Sequence, residues 1–287
     1  MERPLVIAGF PESGKTTYLA ALWSILTTGS SSILRFESLG EGDFSHLNAI
    51  AKRWLGGFRP FHTEIPGNKV VRMNLFDRDQ KQVRLAFPDL SGESYRHMFE
   101  ERECDTQVAQ ILTSGEGMLY FIHSDTIQPP QLITTVMEQS QALGTPIPPN
   151  QYVPWAPRLA PTGVQTVDLL QLLRAKPLEV PFRRLAIVLS AWDKVAEENR
   201  TPKEFLAERL PLLDQYLHCR ADNWDWKIYG ISAQGSDYEK EKETLNAAQQ
   251  TKLTAIRSLN DLAERITVIG DGIESHDLTE PLSWLMS

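Results

Sequence analysis

The chain has 287 residues, 41% of them apolar, and a formal net charge of −8. This is room for one large α/β domain or two small ones with a real core, and the acidic balance argues against broad binding to nucleic acid or anionic membranes. Cys104 and Cys219 stand far apart in polar surroundings, which excludes a disulfide framework and fits a reducing cytoplasm, and no apolar run reaches membrane-spanning length.

Residues 3–8 read as a short buried strand, and a strand that begins so early leaves no room for a leader. The expected location is the cytoplasm. Directly after it comes Gly9-Phe10-Pro11-Glu12-Ser13-Gly14-Lys15-Thr16, a G-x-x-x-x-G-K-[ST] pattern. Glycines there let the backbone curl and aim N–H groups at phosphate oxygens. The lysine reaches the outer phosphates, and the hydroxyl holds Mg²⁺. Residues 17–26 form an apolar helix whose N-terminus faces the bound anion. The candidate phosphate-binding residues are Gly9, Pro11, Glu12, Ser13, Gly14, Lys15, Thr16 and Thr17.

The pattern breaks at Gly29 and three serines. Residues 33–36 read as a short extended piece, and residues 43–55 as a helix capped by Asp43 or Ser45 and ended by Gly56-Gly57. A proline-flanked loop over 58–68 carries Thr63, which is the only threonine between Gly29 and Asp89. Residues 69–76 alternate as a half-buried strand, 77–80 turn, and 82–87 return. So short a connection makes that pair antiparallel. The return strand runs into Pro88-Asp89-Leu90-Ser91-Gly92-Glu93, an aspartate at a strand end where a parallel sheet places ligand groups. Gly92 lets the backbone approach a phosphate closely.

Residues 94–112 are a polar helix or a mobile segment, and 117–123 a central buried strand. Residues 126–176 hold a proline-rich insertion that ends in a helix over 164–174, and a second insertion covers about 29–60. A proline-rich loop this long is usually functional or disordered. A buried strand over 184–189 ends in Ser190-Ala191-Trp192-Asp193-Lys194. A helix over 202–217 follows, with Thr201 as cap and Pro202 first. The last core strand, 227–231, ends in Ser232-Ala233-Gln234-Gly235. A long polar helix spans about 237–264, and its charged run from Glu239 to Glu243 is a solvated face. The tail, 265–287, carries a short strand at 266–269 and is expected to pack back through Trp284. Alternating strands and helices give a largely parallel sheet with helices on both faces and one antiparallel strand. The whole reads as a single domain.

The order of these signals is a phosphate loop, a loop threonine, D-x-x-G, an aspartate motif after one strand and S-A-x after the next. It resembles the Ras-like, translation-factor-related P-loop GTPases. Within that class the chain is similar to the bacterial double-GTPase type of conflict and defence neighbourhoods, through Asp89 to Glu93, Ser190 to Asp193 and the tail His276-Asp277-Leu278-Thr279-Glu280-Pro281-Leu282. The resemblance implies a three-layer P-loop NTPase sandwich that binds GTP or GDP with Mg²⁺. It also implies a protein effector or a second GTPase subunit as partner, with a nucleotide-dependent oligomer left open.

Residue roles follow from motif position. Lys15 neutralises the β- and γ-phosphates; Thr16, Thr63 and Asp89 serve the metal; the Gly92 N–H senses the γ-phosphate. Asp193 reads guanine N1–H and N2–H₂ beside Ser190 and Lys194, and the Ser232-Ala233-Gln234 loop offers backbone N–H to O6. Ala191 stands where that pattern has lysine. Glu93 stands where a glutamine orients water, and Pro11, where a glycine is common, narrows access for an arginine finger, so unaided hydrolysis is expected to be slow and to be accelerated by a partner or a dimer. Arg78 and Arg96 are candidate arginine fingers, with surface roles as the alternative. Two other readings stay open: a nucleotide-holding scaffold without turnover, favoured by Ala191 and Glu93, and an ATPase on the same fold.

Overall fold

The computed structural model describes residues 2–29, 33–39, 44–59, 70–88, 92–130, 142, 154–238 and 246–287. Thr63, Asp89 and the charged run from Glu239 to Glu243 lie outside them.

Strand alternation builds the layers. Leu5 and Ile7 of β1 (Glu2–Ala8) enter one apolar cluster, while Val6 and Ala8 enter the other, as the two-residue period of a strand dictates. The same division holds along β5 (Gly117–His123), β6 (Arg184–Ser190) and β7 (Asp225–Ser232). These strands are nearly all apolar because both faces are covered. One face carries α1 (Lys15–Thr28), α2 (Ser45–Leu55) and the C-terminal α9 (Glu280–Met286). The other carries α3 (Gly92–Glu101), α4 (Thr106–Ser114), α5 (Thr162–Arg174), α6 (Pro202–Arg209) and α7 (Pro211–Cys219).

Among the described residues the sheet has nine strands, in the order β2-β3-β4-β1-β5-β6-β7-β8-β9. Its middle, β4 (Gln82–Pro88), β1, β5, β6 and β7, is parallel. β3 (Val70–Phe76) pairs antiparallel with β4, in register from Val70 opposite Pro88 to Phe76 opposite Gln82. This is a P-loop NTPase-like sandwich. Antiparallel pairing is more extensive than the sequence suggests, because β2 (Arg35–Leu39) joins β3 at one rim while β8 (Thr267–Gly270) and β9 (Ile273–Ser275) extend the other.

Four expected elements differ. The helix expected over 202–217 is two, because Pro211 has no N–H to continue α6 and forces Leu210 out of helical geometry, at φ −133° and ψ 52°. Thr201 caps the first with a reciprocal bond pair to Glu204. The stretch 94–112 is also two helices: Arg102 turns to φ 61°, and Asp105 accepts from Gln107 and Val108 to start α4. The long helix over 237–264 shortens to α8 (Ala247–Arg257), which Asn246 and Gln249 open as a capping box. In α2 the residue at the cap is Phe44, with no side-chain bond, and Ser45 is already helical.

The tail packs back through Leu278, Leu282 and Leu285, all 3% exposed or less, whereas Trp284 is only half-buried beneath the Lys227 ammonium. Tyr18 of α1 donates to the Leu278 carbonyl at 2.7 Å, and Asp277 accepts from the Ile33 N–H at 2.8 Å. His276 and Asp277 thus tie the tail to the fold, with His276 Nδ1 2.5 Å from the Ile266 carbonyl. Among the described residues, no helix is long and apolar enough to cross a membrane.

Candidate functional site

The C-terminal ends of β1, β5, β6 and β7 open onto one cavity of about 540 Å³, within the size range of small-ligand sites. It lies beside β1, where the chain passes from the β4 side of the sheet to the β5 side, the place open α/β sheets use for ligands.

The loop after β1 is fixed by two glycines. Gly9 has φ 142°, and a Cβ there would sit 2.6 Å from the Phe121 carbonyl oxygen. Gly14 has φ 93°, and its Cβ would meet Ser190 Oγ at 2.7 Å. Both positions therefore need glycine, by conformation and by space. Gly14 caps α1 without any side-chain bond, so the helix begins on backbone N–H groups beside the cavity, the arrangement that binds anions. The Lys15 ammonium, 9% exposed, donates to the carbonyls of Gly9 at 2.7 Å and Phe10 at 2.9 Å and to Ser13 Oγ at 3.1 Å. Thr16 and Thr17 line the same wall, and Tyr238 donates to Thr17 Oγ1 at 2.8 Å. Burial holds the Tyr238 hydroxyl far above its usual range, so it stays protonated and a donor.

Opposite the loop, Ser190 Oγ donates to the Ser13 carbonyl at 2.7 Å. Ser190 thus braces the phosphate-loop segment while still lining the cavity. Ser124 donates in turn to the Ser190 and Ala191 carbonyls at 2.8 and 3.0 Å. Asp193 and Lys194 line the cavity. Ser232 Oγ donates to Asp193 Oδ1 at 2.7 Å and accepts from the Gly235 N–H at 3.2 Å, which orients the carboxylate. Lys194 pairs with Asp237, whose other oxygen accepts from Gln249 at 2.8 Å. Both partners hold the Asp237 carboxyl below the usual carboxylate range against the opposing effect of burial.

Ala233 and Gln234 also line the cavity. Trp54 Nε1 donates to the Ala233 carbonyl at 2.9 Å. Gln234 is 5% exposed, and neither its amide nitrogen nor its oxygen has a hydrogen-bond partner among the described residues.

Gly92 lies against the loop: a Cβ there would fall 2.5 Å from the Pro11 nitrogen. Phe10 meets Phe99 edge to face at 5.9 Å, and Tyr95 donates to the Ile7 carbonyl at 3.1 Å, so α3 is docked on the end of β1. Glu93 is exposed and pairs with Arg96 at 3.1 Å. Arg78 lies in the β3–β4 turn, at the end of the sheet away from the loop, on a second cavity of about 630 Å³. That position removes it as a finger.

The sequence motifs did not point to Arg59, His123, Asp125, Tyr238 or Gln249, all of which line the cavity. Asp125 and His123 follow a central parallel strand, a position that could have flagged them. Burial pushes the His123 imidazole below its ordinary value despite the carboxylates of Asp125, Asp193 and Glu12 nearby, with Lys194 adding to the fall. Its Nδ1 has no partner among the described residues. Arg59 is joined to Glu12 of the phosphate loop at 2.8 Å.

The donors suit a nucleotide triphosphate with a hard cation: curled N–H groups, a buried ammonium and a hydroxyl oxygen at Thr16 at one end, and a carboxylate with a buried amide at the other. No curated protein matches the chain. Residues 6–285 match the family described as Double-GTPase 1, and the chain belongs to that family of P-loop GTPases.

Proposed function

We propose that this chain is a Mg²⁺-dependent GTP-binding switch that hydrolyses GTP slowly when alone and acts in a bacterial multi-protein system of the cytoplasm. The observation that carries this reading is the pairing, across one cavity, of the Lys15 loop with a carboxylate at Asp193 oriented by Ser232. The N–H groups at the start of α1 and the Lys15 ammonium would take the phosphates, with Thr16 Oγ1 on Mg²⁺, joined by Asp89 and Thr63. Asp193 would accept from guanine N1–H and N2–H₂, a donor pair that adenine lacks. Gly92, packed on Pro11, would move with the γ-phosphate and pass its presence to α3. Glu93 remains the residue next in line to orient water. Its pairing with Arg96 supports slow turnover, because the guanidinium reaches both carboxylate oxygens, at 3.1 and 3.4 Å.

Titration of labelled GDP, GTP and ATP, with phosphate release measured in parallel, tests the proposal. Guanine nucleotides bind, ATP does not, and Lys15→Ala abolishes binding. Binding without phosphate release would favour the scaffold reading, and turnover of ATP alone the ATPase reading. A second GTPase subunit is the proposed partner.

A further inference from the structure

We propose that Arg59 is an arginine finger supplied in cis, parked on Glu12 and transferred to the γ-phosphate as GTP is cleaved. The inference rests on the nucleotide-site reading above. The lysines and arginines described on the cavity wall are Lys15, Arg59 and Lys194. Lys15 is part of the phosphate loop, and Lys194 is committed to Asp237 near the base-reading end. Of these three described cations, Arg59 is the one that comes from outside the loop and is held at the phosphate end, by Glu12 at 2.8 Å.

The backbone that presents Arg59 is fixed. Gly57 turns the chain out of α2 at φ 72°. The guanidinium groups of Arg53 and Arg257 both lie over the Phe58 ring, at 5.9 and 5.4 Å from its centre. Arg257 donates to the Gly56 carbonyl at 2.6 Å, and Arg53 donates to the Arg59 carbonyl at 2.6 Å. The hold on the side chain is weak by contrast. The ion pair is one contact between groups 47% and 65% exposed, and pairs so open to water contribute little. A fixed backbone with a loosely held guanidinium lets the fork leave a carboxylate for a phosphate at small cost, and its planar donors match phosphate oxygens.

In the reaction the water oxygen bonds to the γ-phosphorus while the bond from that phosphorus to the β–γ bridging oxygen breaks. The electron pair leaves with GDP, and both hydrogens depart on the phosphate as dihydrogen phosphate. Charge gathers on the bridging and equatorial oxygens as this happens, and there a guanidinium stabilises it.

The test reads transition-state mimicry as well as turnover. In the unaltered chain, aluminium fluoride with Mg²⁺ tightens GDP binding with no partner present. In Arg59→Ala, GDP affinity is unchanged, the tightening is lost, and single-turnover hydrolysis falls on the order of a thousandfold. Free guanidinium restores part of that rate. Arg59→Lys keeps the charge without the fork and serves as the second variant, with thermal midpoints confirming that both fold. If the unaltered chain binds GDP and GTP but aluminium fluoride adds nothing, or Arg59→Ala loses less than about tenfold, the cis finger is wrong and the nucleotide site stands. If neither nucleotide binds, the site reading falls and the finger with it.

Discussion

Trp54 of α2 donates its indole N–H to the carbonyl of Ala233, 2.9 Å away, and so joins the helix that presents Arg59 to the loop after β7. The indole is fully buried, and the Arg265 guanidinium lies 4.2 Å over its ring while donating to the Trp54 carbonyl at 3.0 Å. Burial draws that guanidinium down to about 10, still charged at neutral pH. Trp54→Phe keeps most of the apolar area and loses the donor. It is expected to lower unfolding free energy by about 1–3 kcal/mol and to weaken guanine-nucleotide binding more than tripolyphosphate binding. Urea unfolding and paired titrations read the two effects.

Gln234 carries a conflict between stability and binding. A buried amide with no partner costs stability, on the order of 1–3 kcal/mol, unless something else meets it. Gln234→Leu is expected to raise the ligand-free thermal midpoint and to reduce affinity for GDP. If affinity held while stability rose, Gln234 would have no part in the site.

Gly92→Ala would put a methyl group 2.5 Å from the Pro11 nitrogen, a backbone atom that cannot swing aside. The added carbon must push α3 and the phosphate loop apart. On the proposed reading, in which Gly92 meets the γ-phosphate, GTP affinity is expected to fall at least about tenfold, or 1.4 kcal/mol, with GDP affinity little changed. Equal losses for both nucleotides would point to general damage of the loop.

His123 sets a pH dependence. Its imidazole is held neutral by burial, below the ordinary value of 6.5. The unfolded chain therefore takes up a proton first as pH falls. The contribution of His123 to stability is full above about 6.5 and declines below it, by at most about 1.4 kcal/mol per pH unit, until the folded protein protonates as well. His123→Asn should flatten that slope in urea melts between pH 7.5 and 5.5, and an unchanged slope would place the proton uptake elsewhere.

Local signals were legible where the chain encodes them over a few residues. The phosphate loop, the β3–β4 hairpin and the Thr201 cap each announce themselves within about eight positions. Pro211 is equally plain, yet the apolar spacing on either side of it reads as one helix, and Asn246 reads as helix interior although it caps α8. What sequence reading missed is contact at long range. Arg59 and Glu12 are 47 residues apart, Ser232 and Asp193 are 39 apart, and neither pair has a spacing rule. Ser190 is legible as a site residue from its motif, but its bond to the Ser13 carbonyl, 177 residues back along the chain, is not. Trp284 does pack on the core, but Leu278, ahead of the last helix, and Leu282 and Leu285 within it are the more deeply buried residues of the tail.

The two rims of the sheet are both poor templates. β9 is three residues long, and β2 has five with its register slipping between Phe36 and Ser38. A neighbouring strand would find few consecutive amides to zip onto at either side. Edge-to-edge addition of a further strand is therefore disfavoured at both rims, so the sheet ends at its own strands.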